Sequence, residues 1–162
     1  MAVKIKNRHR LKERDVEDLV NELKTRFRGD FFDTKATIEV GTLEEFTVLL
    51  VDDNIDFLMH NNKLMFTLQG LNKYQPTTNF VVVDMGAVGF IVKGADVMAP
   101  GITDADPMIQ KDDLVWICDE KYRKPLALGI ALMTGEEMKT KKPGKAVKTL
   151  HYVGDRLWML TH

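Results

Sequence analysis

Residues Val81–Ile102 read VVVDMGAVGFIVKGADVMAPGI, with four glycines, two carboxylates and one lysine among apolar side chains. Starting at Phe80, FVVVD reads as a short buried strand, apolar and β-branched, closed by Asp84. Gly86 and Gly89 bracket a tight exit. GAVGFIVKG then leaves room for a short helix with Val88, Ile91 and Val92 facing inward and Gly94 ending it. ADVM reads as another strand, and Pro100-Gly101 turns the chain sharply. The glycines match neither G-x-G-x-x-G nor G-x-x-x-x-G-K-[ST], and Gly144-Lys145 lacks the following Ser or Thr, which disfavours a nucleotide phosphate loop. What these glycines permit is close approach of backbone to another strand or to an external phosphate–sugar chain. Spacing does not choose between the two.

The surrounding chain is that of a globular protein. Its 162 residues are 44% hydrophobic and 29% charged, with a mean hydropathy of −0.19. That suffices for one medium domain or two small ones. No apolar run reaches bilayer length, and MAVKIKNRHR has no apolar segment of a secretory signal. Cys118 is the single cysteine and lies in the apolar run LVWIC, which predicts a buried, inert thiol and a reducing, cytoplasmic setting. Net charge is −1, so any attraction to a polyanion must come from local clustering. The chain divides near KYQPTTN, giving an expected domain over 1–77 and a second over 78–162.

In the first domain, VKIKNRHRLK alternates with period two. A strand over 3–12 would put Lys4, Lys6, Arg8, Arg10 and Lys12 on one side. Two readings stand: a basic comb against RNA backbone, or an edge strand protected from pairing with another chain. DVEDLVNELKTRF predicts an amphipathic helix capped at Asp15 and ended by Gly29. Its buried stripe is Val16, Leu19, Val20, Leu23 and Phe27, and Glu22 pairs with Arg26. Thr37–Leu71 reads as β structure, with a hairpin turning at Asn61-Asn62. His60 beside that tip reads as a solvated turn residue.

In the second domain, LVWIC and LALGIALM are short apolar strands suited to a barrel interior. TGEEMKTKKPGKAVK carries a capping box, Thr134 with Glu137, and five lysines within ten residues: Lys139, Lys141, Lys142, Lys145 and Lys148. Such a run is either a solvated loop or a phosphate-contacting patch. Asp104-x-Asp106 beside Pro107, Asp52-Asp53 and Asp112-Asp113 read as solvated turns. There is no His-Glu-x-x-His, no paired cysteine ligands and no nucleophile–base neighbourhood, so no catalytic site, metal or cofactor is expected.

The opening stretch resembles the start of a PUA domain, an RNA-binding module. Asp84, Gly86, Ala87, Gly94, Ala95, Val97, Pro100, Gly101 and Ile102 carry the match. Asp113, Val115, Gly129, Gly144, Ala146, Val147, His151, Asp155 and Trp158 continue it, so the resemblance spans Phe80–Leu160. Asp112 stands where glycine is usual, and Asp tolerates a left-handed turn. The order of elements before residue 78, with HYVGDRLWML at the end, is similar to the malignant T-cell-amplified-sequence proteins and their archaeal relatives. The resemblance implies an α+β protein: a small N-terminal α/β (pre-PUA) domain, then a PUA-type pseudo-barrel of short β-strands with short helices. It implies a non-enzymatic, translation-associated factor contacting tRNA or the small ribosomal subunit, with a translation-factor partner and no membrane. The alternatives are an accessory protein presenting tRNA or rRNA to a modification enzyme, and a protein–protein adaptor without RNA binding. It further implies an RNA groove built from Gly86 and Ala87, the helix bearing Lys93, and the strand and turn Gly94, Ala95, Pro100 and Gly101. In that setting the lysine run reads as phosphate contact. Trp116 and Trp158 would be stacking platforms there, but strand position makes both core residues.

Overall fold

The computed structural model describes residues 5–140 and 143–162. Lys4 of the comb and Lys141 and Lys142 of the lysine run lie outside the described residues. The chain forms two compact units that divide between Pro76 and Thr77.

The first unit runs β1 (Lys6–Arg10), α1 (Glu13–Phe27), β2 (Ile38–Leu43), β3 (Phe46–Val51), β4 (Asn54–His60), β5 (Lys63–Phe66) and α2 (Leu68–Tyr74). Its strands form one antiparallel sheet in chain order. Tight turns at Asp52-Asp53 and Asn61-Asn62 place all four residues at positive φ, where Asn and Asp are the least strained side chains after glycine. Val16, Leu23 and Phe27 of α1 are buried, with Leu19 and Val20 half-buried, and the Phe27 ring packs edge-on against Phe66 at 5.0 Å. Glu22 and Arg26 pair at 3.9 Å.

Three local expectations are corrected here. Helix α1 starts at Glu13 with Lys12 as an N-cap lacking a side-chain bond, so Asp15 lies in the first turn and is not the cap. The chain stays tied to the sheet through Leu11 N–H to the Ile38 carbonyl (2.9 Å) and then enters the helix at once. At the other end Arg28, not Gly29, takes the left-handed conformation, φ 55°. Leu68–Tyr74 is helical, not strand, because the Thr67 hydroxyl accepts from Gly70 N–H and caps a new helix. That helix stands over the buried Asp56, whose Oδ2 accepts from Lys73 Nζ (2.8 Å) and Tyr74 OH (2.6 Å).

The second unit runs β6 (Phe80–Val83), α3 (Met85–Ile91), β7 (Val97–Met98), a 3₁₀ turn (Ala99–Gly101), β8 (Ile102–Ala105), β9 (Leu114–Asp119), β10 (Pro125–Ala131), α4 (Gly135–Lys139), β11 (Lys145–Tyr152) and α5 (Arg156–Thr161). The sheet order is β7-β11-β10-β9-β6-β8, with β6 and β9 parallel and the other neighbours antiparallel. It curls into a near-closed pseudo-barrel around Val81, Val83, Ile117, Ala127 and Val147. Every residue of β9 is buried, Cys118 included, and burial pushes that thiol up to about 11. The barrel bends where the β10–β11 register shifts between Leu128 and Gly129. A side chain at Gly129 would run into the Lys148 carbonyl oxygen, so only glycine lets the strands meet there. The Thr134–Glu137 capping box is formed, and Asp112 takes φ 75°.

Three readings of this unit are also corrected. Gly86 and Gly89 both lie inside α3, which begins at Met85, so they bracket no separate tight exit before it. Asp106 is buried and accepts the N–H groups of Asn79 (2.7 Å) and Met108 (2.9 Å), so it is a structural anchor and not a solvated turn. Trp158 sits on α5, not on a closing strand, and stacks on His162 at 4.5 Å. Trp116 is a core residue, donating Nε1–H to the Thr78 carbonyl at 2.8 Å.

Candidate nucleic-acid interface

Asp84 ends β6 and starts α3, its carboxylate accepting from Ala87 N–H at 2.9 Å. Its own N–H donates to the Gly101 carbonyl (2.9 Å), which ties the helix start to the 3₁₀ turn. The two pieces of backbone come so close that a Cβ on Gly101 would lie 3.4 Å from that of Ala87. The strand leaving α3 is held by Asp96 Oδ1, which accepts Thr149 N–H (3.0 Å), and by Ala99 N–H to the Gly144 carbonyl (2.9 Å). The result is an open groove of about 620 Å³ between α3 and residues 95–101. Lys145 stands at its edge, its Nζ 3.4 Å from Asp96 Oδ2. That ion pair is exposed and weak, so the ammonium stays available to an anion.

Gly86, Ala87, Ala95, Pro100, Gly101 and Lys145 line this groove together. Gly94 does not line it: at φ +92° it ends the α3 turn, and a Cβ there would sit 2.9 Å from the Tyr152 ring. Lys93 is exposed, just beyond the last helical residue. The lysine run is dispersed. Lys139 ends α4 and lies 3.8 Å from Asp104, Lys148 is exposed on β11 opposite Ile130, and of these three only Lys145 reaches the groove.

The amino-terminal comb is broken. Asn7 takes φ 54° and the β1–β2 register slips between Lys6 and His9. Lys6 therefore pairs with Thr42 on one side of the sheet while Arg10 pairs with Glu39 on the other. Arg8 is bound to Glu39 by two bonds of 2.8 Å and also to Asp53, and its hydrogen bonds hold the Glu39 carboxyl below the usual range. All of β1 is exposed.

Six residues that line the groove are not among the site residues expected from the sequence: Asp84, Phe90, Ile91, Asp96, Val97 and Met98. Phe90 is 69% exposed and Met98 48%. Phe90 was legible in principle, since it follows Ala87 by three residues and shares its helix face. Near the end of the unit His151 is buried with Nδ1 2.8 Å from Asp155 Oδ2. Burial raises the Asp155 carboxyl, but bonds from His151 and from the Trp158 and Tyr152 N–H groups outweigh it, so Asp155 titrates low. Among the described residues no cluster of three or more His, Cys, Asp or Glu could hold a metal ion, and no helix is long and apolar enough to cross a membrane.

A pseudo-barrel entered through an Asp-capped short helix, with a groove beside it, defines a PUA-domain protein, and the PUA domain pattern matches residues 79–153. A domain of unknown function, DUF1947, matches residues 7–74. The chain is 42% identical to an uncharacterized protein of Methanocaldococcus jannaschii, covering 96% of this chain and 98% of that one. It is 31% identical to translation machinery-associated protein 20 of Saccharomyces cerevisiae, covering 88% of this chain and 78% of that one. The crystal structure of a hypothetical protein from Pyrococcus horikoshii superposes with a TM-score of 0.86 at 37% identity, over 96% of this chain and 99% of that one. The chain belongs to the two-domain PUA family of translation machinery-associated protein 20 and malignant T-cell-amplified sequence 1, whose Drosophila melanogaster homolog matches over 65% of this chain and 60% of its own length.

Proposed function

We propose that this chain is a non-enzymatic, cytoplasmic RNA-binding factor of the translation apparatus, contacting tRNA or the small ribosomal subunit. The observation that carries the reading is the groove beside α3. Its floor is small side chains and backbone at Gly86, Ala87, Ala95, Pro100 and Gly101, and a cation stands at its edge. Such a surface lets a ribose-phosphate strand approach closely without demanding a particular base. Lys145 would neutralise a phosphate at the groove, with Lys139 and Lys148 as further contacts outside it. The name of the yeast relative supports the link to translation.

The test is a variant with Lys139, Lys145 and Lys148 changed to Gln, titrated with tRNA and with purified small-subunit RNA across a salt series. Affinity should fall alike for all sequences, and the plot of log K against log salt should flatten by roughly 0.9 for each duplex phosphate that a lysine no longer neutralises. An unchanged slope removes the lysines from the interface. Co-sedimentation of the full chain with small ribosomal subunits tests the finer assignment.

A second reading, a protein–protein adaptor, is favoured by one observation. Phe90 and Met98 are exposed apolar side chains that line the same groove. Phe90→Asp separates the two: loss of a protein partner with tRNA affinity retained supports the adaptor.

A further inference from the structure

We infer that a second groove, between α1 and the sheet of the N-terminal unit, is a docking site for a basic amphipathic segment of a protein partner. It measures about 800 Å³. Its floor follows from the register. Val40 pairs with Leu49 and Leu49 with Phe57, so their side chains share the face on which Phe66 meets Phe27 of α1. Met59, two residues past Phe57, lies on that face too. Helix α1 covers part of this face with the buried Val16, Leu23 and Phe27. Its next row turns to the open part, with Leu19 at the floor and Asp15, Asp18 and Glu22 as the wall. Asn61 and Asn62 from the β4–β5 tip and Thr47 add only neutral polar groups.

Charge selects the occupant. Glu22 has Arg26 at 3.9 Å, a half-buried pair at the outer limit of an ion pair, so its charge is only partly offset. The Asp15 and Asp18 carboxylates make no ion pair or hydrogen bond among the described residues. Asp15 is accounted for by the helix dipole, being in the first turn, but Asp18 and Glu22 lie beyond it. A phosphate chain would meet repulsion from this wall. An uncharged apolar segment would leave the acids desolvated without partners. An amphipathic segment bearing Lys or Arg beside Leu-type side chains satisfies both floor and wall, which is the helix-in-groove mode of recognition. This inference rests on the N-terminal unit and is independent of the RNA reading.

The test uses the full chain and two labelled synthetic helices of one pattern, one of Leu and Lys and the other of Leu and Glu, read by fluorescence anisotropy. The wild type should bind the Leu/Lys helix and not the Leu/Glu helix. Asp15→Lys with Asp18→Lys should weaken it by about tenfold, a loss that charge reversal at a partly solvated wall can supply. Thr47→Trp, which fills the groove without changing its charge, should weaken it as well. Circular dichroism and tRNA affinity of Thr47→Trp should match the wild type. Equal binding of the two helices, or affinity unmoved by either variant, overturns the inference. So does a wild-type dimer dissolved by the double reversal, which would make a second copy the occupant. Loss of tRNA affinity in a folded Thr47→Trp chain overturns it too, by making the groove an RNA surface.

Discussion

The two units each set a groove beside a helix and line it with opposite chemistry. In the N-terminal unit a fifteen-residue helix brings its own charges, and Asp15 and Asp18 hang over an apolar floor with their carboxylates uncommitted among the described residues. In the C-terminal unit a seven-residue helix, MGAVGFI, carries no charge at all. The acids of that groove are taken up by structure, Asp84 by Ala87 N–H and Asp96 by Thr149 N–H, and the cation is brought by β11. A long amphipathic helix displays side chains, whereas a short glycine-containing one displays backbone. The first suits recognition by charge and apolar contact, and the second suits a partner whose own backbone must come close.

The largest predicted effect attacks the C-terminal scaffold alone. Gly129→Val drives a side chain into the Lys148 carbonyl and should cost about 3 kcal/mol or more, with hydrogen exchange rising in β10 and β11 first. Retained protection in those strands would show that the barrel bends some other way. Its counterpart in the N-terminal unit is Asp56→Ala, which strips Tyr74 OH of its acceptor and loosens α2. A loss of about 2 kcal/mol is expected, most of it recovered by Asp56→Asn, as urea unfolding would report.

A smaller effect depends on pH. The folded state holds the Asp155 carboxyl below its unfolded value, so its stabilisation is complete above the ordinary carboxylate range, about 4, and is lost as pH falls through the folded value. Acid should therefore loosen the β11–α5 end, and Asp155→Asn should flatten that dependence in thermal melts between about pH 2 and 5. An equally steep acid loss in the variant would assign it to other carboxylates. The smallest effect has the opposite sign. Gly89 lies in α3 with nothing within 4 Å of an added Cβ, so Gly89→Ala should raise stability by about 0.5–1 kcal/mol while leaving RNA affinity unchanged. A drop in affinity would extend the groove across that helix face.

What the sequence determined by itself is local. The apolar spacing of Val16, Leu23 and Phe27, the Asn61-Asn62 tip, the Thr134–Glu137 box and the strand closed by Asp84 each depend on neighbours a few residues away, and each is present. The family pattern across Phe80–Leu160 added the barrel. Tertiary pairing decided the rest. The period-two comb of β1 reads as one face in sequence, yet one residue at positive φ shifts its register against β2 and sends Lys6 and Arg10 to opposite sides. Arg8 is taken by Glu39, 31 residues away. The lysine run reads as one patch, yet Lys139, Lys145 and Lys148 come to rest on a helix end, a groove edge and an outer strand position. Side-chain direction in a strand depends on which partner residue it faces. A single bulge inverts it, and its one local sign is Asn7, a residue tolerant of positive φ whose presence does not by itself specify a bulge.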